Sequence, residues 1–184
     1  MKTATIENIL SWKPCICYTK ELIVKLFAGR ETLTVQDILD LNISADDKLW
    51  AVLREDMLDA AILHEFACRC AEEALKPIDN PDPRSIAAIA TKRAWLRGEI
   101  TDDELSAAWA TAITASNDVV ATAWAVYAAS YAARSDAADA AVTAARTDAY
   151  AAAAAAASAC NTASWVAAHA AARDKQIEIL KEIM

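Results

Sequence analysis

Apolar positions in the first half of the chain recur at helical spacing and are separated by clear start signals. Thr34 precedes VQDILDL, and Ser44 precedes ADDKLWAVLRE with two acids in its first turn, so both residues are predicted helix N-caps. The segment MLDAAILHEFACRCAEEALK follows as a longer amphipathic helix. Its predicted core face consists of Leu58, Ile62, Phe66 or Ala67, Cys70 and Ala74, while Glu65, Arg69, Glu72 and Glu73 occupy other faces.

The strongest break in the pattern is KPIDNPDPRS, residues 76–85, which has three prolines within seven residues and places Pro83 at a helix start. The next helix is predicted to end at Gly98. Thr101 and Glu104 then have the spacing of a capping box, which starts a long helix. From Trp109 to Tyr131 every large side chain falls on one face of that helix, and this spacing favours a core stripe over a ligand-stacking platform.

Alanine accounts for half of the residues from 107 to 172. The near-copies AARSDAA at 132–138 and AARTDAY at 144–150 each carry a Ser or Thr followed by Asp, so either is a candidate turn between antiparallel helices, and one bent continuous helix is the alternative. Tyr150 and Trp165 share a helical face as the anchors of the alanine run AYAAAAAAASAC. The alanines between them, Ala154 included, are predicted to permit close packing.

These patterns predict an all-α protein, with a small N-terminal helical bundle followed by long alanine-rich antiparallel helices. The predicted regions are 1–80 and 81–184, packed together as one domain. Only two glycines and four prolines occur, and no proline follows Gly98.

Charge and composition narrow the class of partner. The net charge is −8, and no basic face is visible, so binding to nucleic acid is not expected. The N-terminal segment has no secretory pattern, and polar residues interrupt the alanine run, so we expect a cytoplasmic chain without a membrane span. An acidic protein attracts basic partner surfaces.

Candidate chemistry is sparse. Cys15 and Cys17 form C-I-C, and Cys68 and Cys70 form C-R-C four residues after His64, but residues two apart on a helix point in opposite directions. His64 and Cys68 have the spacing for one metal ion, yet the overall pattern matches no standard zinc motif, and buried reduced cysteines are the favoured interpretation. The sequence lacks a recognisable catalytic motif around either histidine, so we expect no enzyme activity, no metal and no cofactor.

Two long segments carry a family resemblance. DDKLWAVLREDMLDAAILHEFACRCAEEAL (46–75) and PDPRSIAAIATKRAWLRGEITDDELSAAWA (81–110), with an Ala/Trp/Tyr-rich tract, a closing QIEILKEIM and an N-terminal KPCICY, resemble immunity proteins of bacteria and phages of the immunity-protein-five-like type. The resemblance implies protection by direct binding of a toxin or a defence effector, and it carries no catalytic residues.

Three functions follow as hypotheses. The first is a protein-binding inhibitor that uses exposed acids, for which the candidates are Asp118, Asp136, Asp139 and Asp148. The second is a protein that sequesters a nucleotide signal against the aromatic stripe that begins at Trp109. The third is a helical oligomerisation module in which alanine faces pack between copies.

Overall fold

The computed structural model of the chain describes residues 2–113, 136–157 and 162–184, with only the backbone described at 113, 155–157 and 162–165. The described part is essentially all-α, as predicted, with one two-stranded sheet in addition. The chain forms two compact units, Met1–Asp59 and Ala60–Met184. The predicted boundary between residues 80 and 81 lies inside the second unit.

The first unit consists of short helices and a small antiparallel sheet. Its elements are β1 (Thr3–Ala4), α1 (Ile6–Ser11), α2 (Lys20–Phe27), β2 (Leu33–Thr34), α3 (Val35–Leu39) and α4 (Ala45–Val52). Strand β1 pairs with β2 in the register Thr3 with Thr34 and Ala4 with Leu33. The sequence patterns do not predict this pairing, since two-residue strands leave no periodic signal.

Side-chain caps begin these helices where the sequence predicts them. The Thr34 hydroxyl accepts a hydrogen bond from the Asp37 backbone N–H at 3.1 Å, and the Asp37 carboxylate accepts one from the Thr34 N–H at 2.8 Å. The Ser44 hydroxyl accepts a hydrogen bond from the Asp47 N–H at 3.1 Å and so caps α4. Both predicted N-caps are therefore confirmed. The largest side chains beneath these helices that are almost fully buried are Ile23, Phe27, Leu33, Ile38, Leu39, Leu49 and Val52.

The second unit contains the longer helices. They are α5 (Ala60–Leu75), α6 (Pro83–Leu96), α7 (Asp102–Ile113), α8 (Ala137–Ala157) and α9 (Thr162–Ile183). Pro83 stands at the start of α6, Gly98 follows that helix with a φ of +73°, and Thr101 forms the predicted capping box with Glu104. These three predictions are confirmed.

Helix α8 is central to the second unit because it packs against both α5 and α9. Ala140, Ala141, Ala144 and Ala145 have no exposed surface, so the alanine positions of α8 are the contact positions. Small side chains permit this close approach between helix axes. Ala154 is only half-buried, so the predicted tight packing applies to other alanines of the same helix.

The second candidate turn, AARTDAY at 144–150, is wrong. Helix α8 runs through it without a break, because the Thr147 hydroxyl donates back to the carbonyls of Thr143 (2.9 Å) and Ala144 (3.0 Å). Tyr150 and Trp165 also lie on two different helices, α8 and α9, rather than on one. The Tyr150 ring lies 5.7 Å from that of His169, and Gln176 reaches the carbonyl of Ala145, so the two helices run antiparallel.

The first candidate turn is AARSDAA at 132–138, of which residues 136–138 are described. These residues contain the start of a helix, as the prediction requires. The Asp136 carboxylate accepts a hydrogen bond from the Asp139 backbone N–H at 2.6 Å and caps the start of α8. An aromatic stripe is predicted from Trp109 to Tyr131. Trp109 is the member of this stripe whose side chain lies within the described residues, and the others lie outside them.

Candidate functional site

A charged cleft lies on the second unit, where α5, α6 and α9 meet. Its volume is about 470 Å³. Its described lining contains four glutamates, four lysines or arginines and one isoleucine: Glu65, Arg69, Glu72, Glu73, Lys76, Arg93, Lys175, Ile179 and Glu182. The cleft is therefore a mixed-charge surface rather than an acidic one.

Helix α5 supplies one wall because its charged residues recur at helical spacing. Glu65, Arg69, Glu72, Glu73 and Lys76 are separated by four, three, one and three residues, which places them along one side of the helix. The opposite side of α5 carries buried residues such as Phe66, Cys70 and Ala74. The amphipathic pattern that buries α5 thus also aligns the charges of the cleft.

Arg93 of α6 links two turns of α5. Its guanidinium donates to both carboxylate oxygens of Glu72 and to both of Glu65, with distances of 3.1 Å from Nη2 to Glu72 Oε2 and 3.1 Å from Nη2 to Glu65 Oε1. The hydrogen bonds to Glu72, then those to Glu65, raise the pKa of Arg93 above its ordinary value. Planar, forked donation of this kind fixes both partners in orientation.

Arg69 connects α5 to α9 across the cleft. Its Nη1 lies 2.8 Å from Glu182 Oε2, and its Nε lies 3.4 Å from Glu65 Oε1. Lys76 pairs with Glu73, and Lys175 pairs with Glu178 at 3.4 Å on the rim. The paired side chains are about one quarter to two thirds exposed, and such pairs contribute about 0 to 1 kcal/mol each. A charged side chain of a binding partner can therefore replace one member of such an ion pair at a small cost in free energy.

A buried polar link joins α8 and α9 in the same unit. Gln176 is fully buried, and its Nε2 donates to Asp148 Oδ2 and to the Ala145 carbonyl, both at 2.8 Å. Burial raises the pKa of Asp148 to about 6, although its hydrogen bond with Gln176 acts in the opposite direction. Glu73 and Lys76 of α5 and Arg173 of α9 also act on this carboxyl group.

A second buried polar group lies between α5 and α6. The His64 ring meets the Trp95 indole edge-on at 5.3 Å, and the Lys92 ammonium lies 3.9 Å from the centre of the same indole. Burial lowers the pKa of His64 to about 4, with Lys92 acting in the same direction, and burial lowers the pKa of Lys92 to about 8. His64 is therefore neutral at pH 7.

The His64 and Cys68 pair is buried on α5. Burial raises the pKa of the Cys68 thiol to about 12, so this thiol is protonated at neutral pH and is a poor metal ligand. Within residues 2–113, 136–157 and 162–184, no group of three His, Cys, Asp or Glu side chains is placed to hold a metal ion.

The predicted acidic contacts have different surroundings. Asp136 is exposed and caps α8, and Asp139 is half-buried in the first turn of that helix. Asp148 is 5% exposed, so the expectation that it is an exposed contact residue is wrong. The reason is the packing of α9 over α8, which covers this carboxylate and supplies Gln176. Asp118 lies outside the described residues.

Trp109 packs rather than forming an open wall. Its half-buried indole lies against a small core of Ala88, Leu105 and Ala112 between α6 and α7, together with Trp95 and Ile100. For this first residue of the aromatic stripe, the core interpretation is supported.

Asp136, Asp139 and Asp148, the predicted acids within the described residues, do not line the cleft, which the sequence patterns do not predict. Part of the signal is present in the sequence, since the charges of α5 fall on faces away from its predicted core. What the sequence did not indicate is that Arg93 and Glu182, 28 and 117 residues from Glu65, reach the same place.

In the described segments, none of the helices combines the length and the apolar character needed to cross a bilayer. Comparison of the chain with models of protein families, with curated proteins and with solved structures finds no match.

Proposed function

We propose that this chain is a non-enzymatic binding protein of the immunity type, which neutralises a bacterial toxin or defence effector by covering part of its surface. The observation that carries the proposal is the mixed-charge cleft of α5, α6 and α9, with the partly exposed ion pairs of Arg69, Lys76 and Lys175. The resemblance of residues 46–75 and 81–110 to immunity proteins points to the same function.

The cleft suits a polypeptide partner better than a small metabolite. Its lining alternates carboxylates with guanidinium and ammonium groups, and Ile179 is the apolar member of the set. Protein interfaces place paired charges of this kind where they set orientation and partner choice. Small-molecule sites are mostly apolar with few polar groups, which is the reverse of this lining.

The proposed setting is the bacterial cytoplasm, in a cell or in a phage-infected cell. Cys15, Cys17, Cys68 and Cys70 are free thiols, which is the normal state of cysteine in a reducing compartment. The net charge of −8 favours encounter with a basic surface on the partner.

The test is affinity capture from bacterial lysate followed by a neutralisation assay. The wild-type chain is expected to retain one specific protein, and the purified partner is expected to lose its toxic activity at a stoichiometric amount of the chain. A Lys175→Glu variant, which reverses a charge on the cleft, is expected to retain less partner. A Lys20→Glu variant, which changes an exposed lysine of the first unit, is the matched control and is expected to behave as wild type.

The proposal is wrong if the wild-type chain retains only those proteins that an unrelated acidic bait also retains. It is also wrong if the retained protein keeps its full activity in the complex. Equal retention by wild type and by the Lys175→Glu variant would assign binding to another surface.

A further inference from the structure

Two thiols lie side by side on an exposed turn of the first unit. The backbone N–H of Tyr18 donates to the Cys15 carbonyl at 2.8 Å, which closes a turn that contains Cys17. The Tyr18 hydroxyl donates to Asp47 at 2.8 Å and anchors the end of the turn. Cys15 and Cys17 are both exposed and free, and Ile16 between them is 97% exposed.

The turn brings Cys15 and Cys17, which are two residues apart, to the same exposed surface of the chain. A disulfide requires Cα atoms about 4.4 to 6.8 Å apart and sulfur atoms that face each other. A turn brings residues two apart closer together than an extended chain does. Since Ile16 packs against almost nothing, the turn can adjust without disturbing the core.

The two thiols are chemically different. Hydrogen bonds from the backbone and the thiol of Cys17 lower the pKa of Cys15. The hydrogen bond to Cys15 instead raises the pKa of Cys17. Because the thiolate is the nucleophile, a lower pKa favours Cys15 as the thiol that attacks first.

The second C-x-C sequence of the chain provides an internal comparison. Cys68 and Cys70 lie on helix α5, neither has exposed surface, and burial raises the pKa of both thiols. Two thiols of the same spacing are thus exposed on a turn and buried in a helix.

We propose that Cys15 and Cys17 form an exposed dithiol that exchanges with low-molecular-weight disulfides and closes to a Cys15–Cys17 disulfide. The Cys15 thiolate attacks one sulfur of the external disulfide, whose S–S bond breaks, and the other sulfur leaves as a thiolate that takes up a proton. The Cys17 thiolate then attacks the Cys15 sulfur of the mixed disulfide and expels the second thiolate, which also takes up a proton. The two cysteines lose two electrons and two protons, and the external disulfide gains them as two thiols.

The experiment treats the reduced, folded, full-length chain with oxidised glutathione, blocks the remaining thiols and maps the tryptic peptides by mass. The peptide of residues 3–20 contains Cys15 and Cys17 and no other cysteine, while Cys68, Cys70 and Cys160 fall in separate peptides. We expect this peptide to lose two hydrogen atoms and to carry no glutathione. The peptides of Cys68 and Cys70 are expected to remain unoxidised.

Single variants separate the two steps. Cys17→Ser is expected to accumulate glutathione on Cys15, and Cys15→Ser is expected to accumulate it on Cys17, because neither variant can close the disulfide. Circular dichroism verifies that both variants keep the fold of the wild type. The proposal is overturned if the wild type does not react, or if it carries glutathione without closing the disulfide.

Discussion

At the scale of single residues, the second unit buries ionisable groups, Asp148 and His64 among them. Asp148 is held between α8 and α9 by Gln176, and His64 lies against Trp95 between α5 and α6. Burial disfavours the charged form of each group, so the pKa of the acid is raised and the pKa of the imidazole is lowered. The two groups therefore make the free energy of unfolding depend on pH in opposite directions: the Asp148 contribution falls as pH rises, and the His64 contribution increases.

Replacement of Asp148 by asparagine is expected to stabilise the chain at neutral pH. The pKa of Asp148 is about 6 in the folded chain, against about 3.9 for an unfolded aspartate, so between these values the folded chain binds more protons and its stability falls as pH rises. The asparagine side chain avoids this loss and retains an acceptor for Gln176. Urea unfolding at pH 7.5 is expected to give a variant about 1 to 3 kcal/mol more stable, with little difference near pH 4.

The control for this prediction is Asp136→Asn, on the exposed first turn of α8. Asparagine and aspartate cap helices about equally well, so this variant is expected to match wild type at both pH values. An Asp148→Asn variant that is less stable than wild type at pH 7.5 would show that the ionised carboxylate stabilises the fold.

His64 is expected to stay neutral well below the pH at which an ordinary histidine gains a proton. Its folded pKa is about 4, against about 6.5 in the unfolded chain, so between these values the unfolded chain binds more protons and stability rises with pH. NMR of the ring protons, assigned by comparison with a His64→Gln variant, is expected to show no titration above pH 5. A midpoint near 6.5 would contradict the buried placement.

At the scale of elements, α8 depends on alanine because two neighbours cover it. Ala144 has no exposed surface, and the helix packs against α5 and α9. A larger side chain at such a position forces neighbouring groups apart.

Ala144→Leu is expected to destabilise the chain by about 1 to 3 kcal/mol, because the added carbon atoms have no space between the helices. Ala154→Leu is the matched control on the same helix, where the alanine is half-buried, and it is expected to cost less than half as much. Thermal unfolding of both variants gives the comparison. Equal losses at the two positions would mean that the packing against α8 is uniform along its length.

The sequence predicted those helix ends that local hydrogen bonds determine. Thr34, Ser44 and Thr101 cap helices through groups three residues away, which a short sequence window contains. Thr147 and Asp148 resemble such a cap in the sequence. In the structure, however, the Thr147 hydroxyl donates back to a carbonyl of its own helix, and the Asp148 carboxylate accepts from Gln176, 28 residues away. The cleft was missed for the same reason, since its walls come from helices distant in sequence.

At the scale of the whole molecule, the charge of −8 and the mixed-charge cleft have separate roles in the proposed function. The overall charge acts at a distance and speeds encounter with a basic partner, whereas the cleft acts in contact and determines orientation. Long-range attraction between exposed charges is screened by salt.

The rate of association with the captured partner is therefore expected to fall at least about fivefold between about 50 mM and about 500 mM salt. Surface plasmon resonance separates this rate from the rate of dissociation, which is expected to change less. A salt-independent association rate would show that the negative charge of the chain does not guide the encounter.

The most direct test of the proposed binding surface is the dissociation constant of the complex between an Arg69→Glu variant and the purified partner. Arg69 spans the cleft between Glu65 and Glu182, so reversal of its charge disrupts the contact surface at its centre. The control is Arg97→Glu, which changes an exposed arginine that pairs with Glu99 and does not line the cleft. We predict that calorimetry gives binding at least about tenfold weaker for Arg69→Glu and within about twofold of wild type for Arg97→Glu. Unchanged affinity for Arg69→Glu, in a variant with the wild-type fold, would contradict the assignment of the cleft as the binding surface.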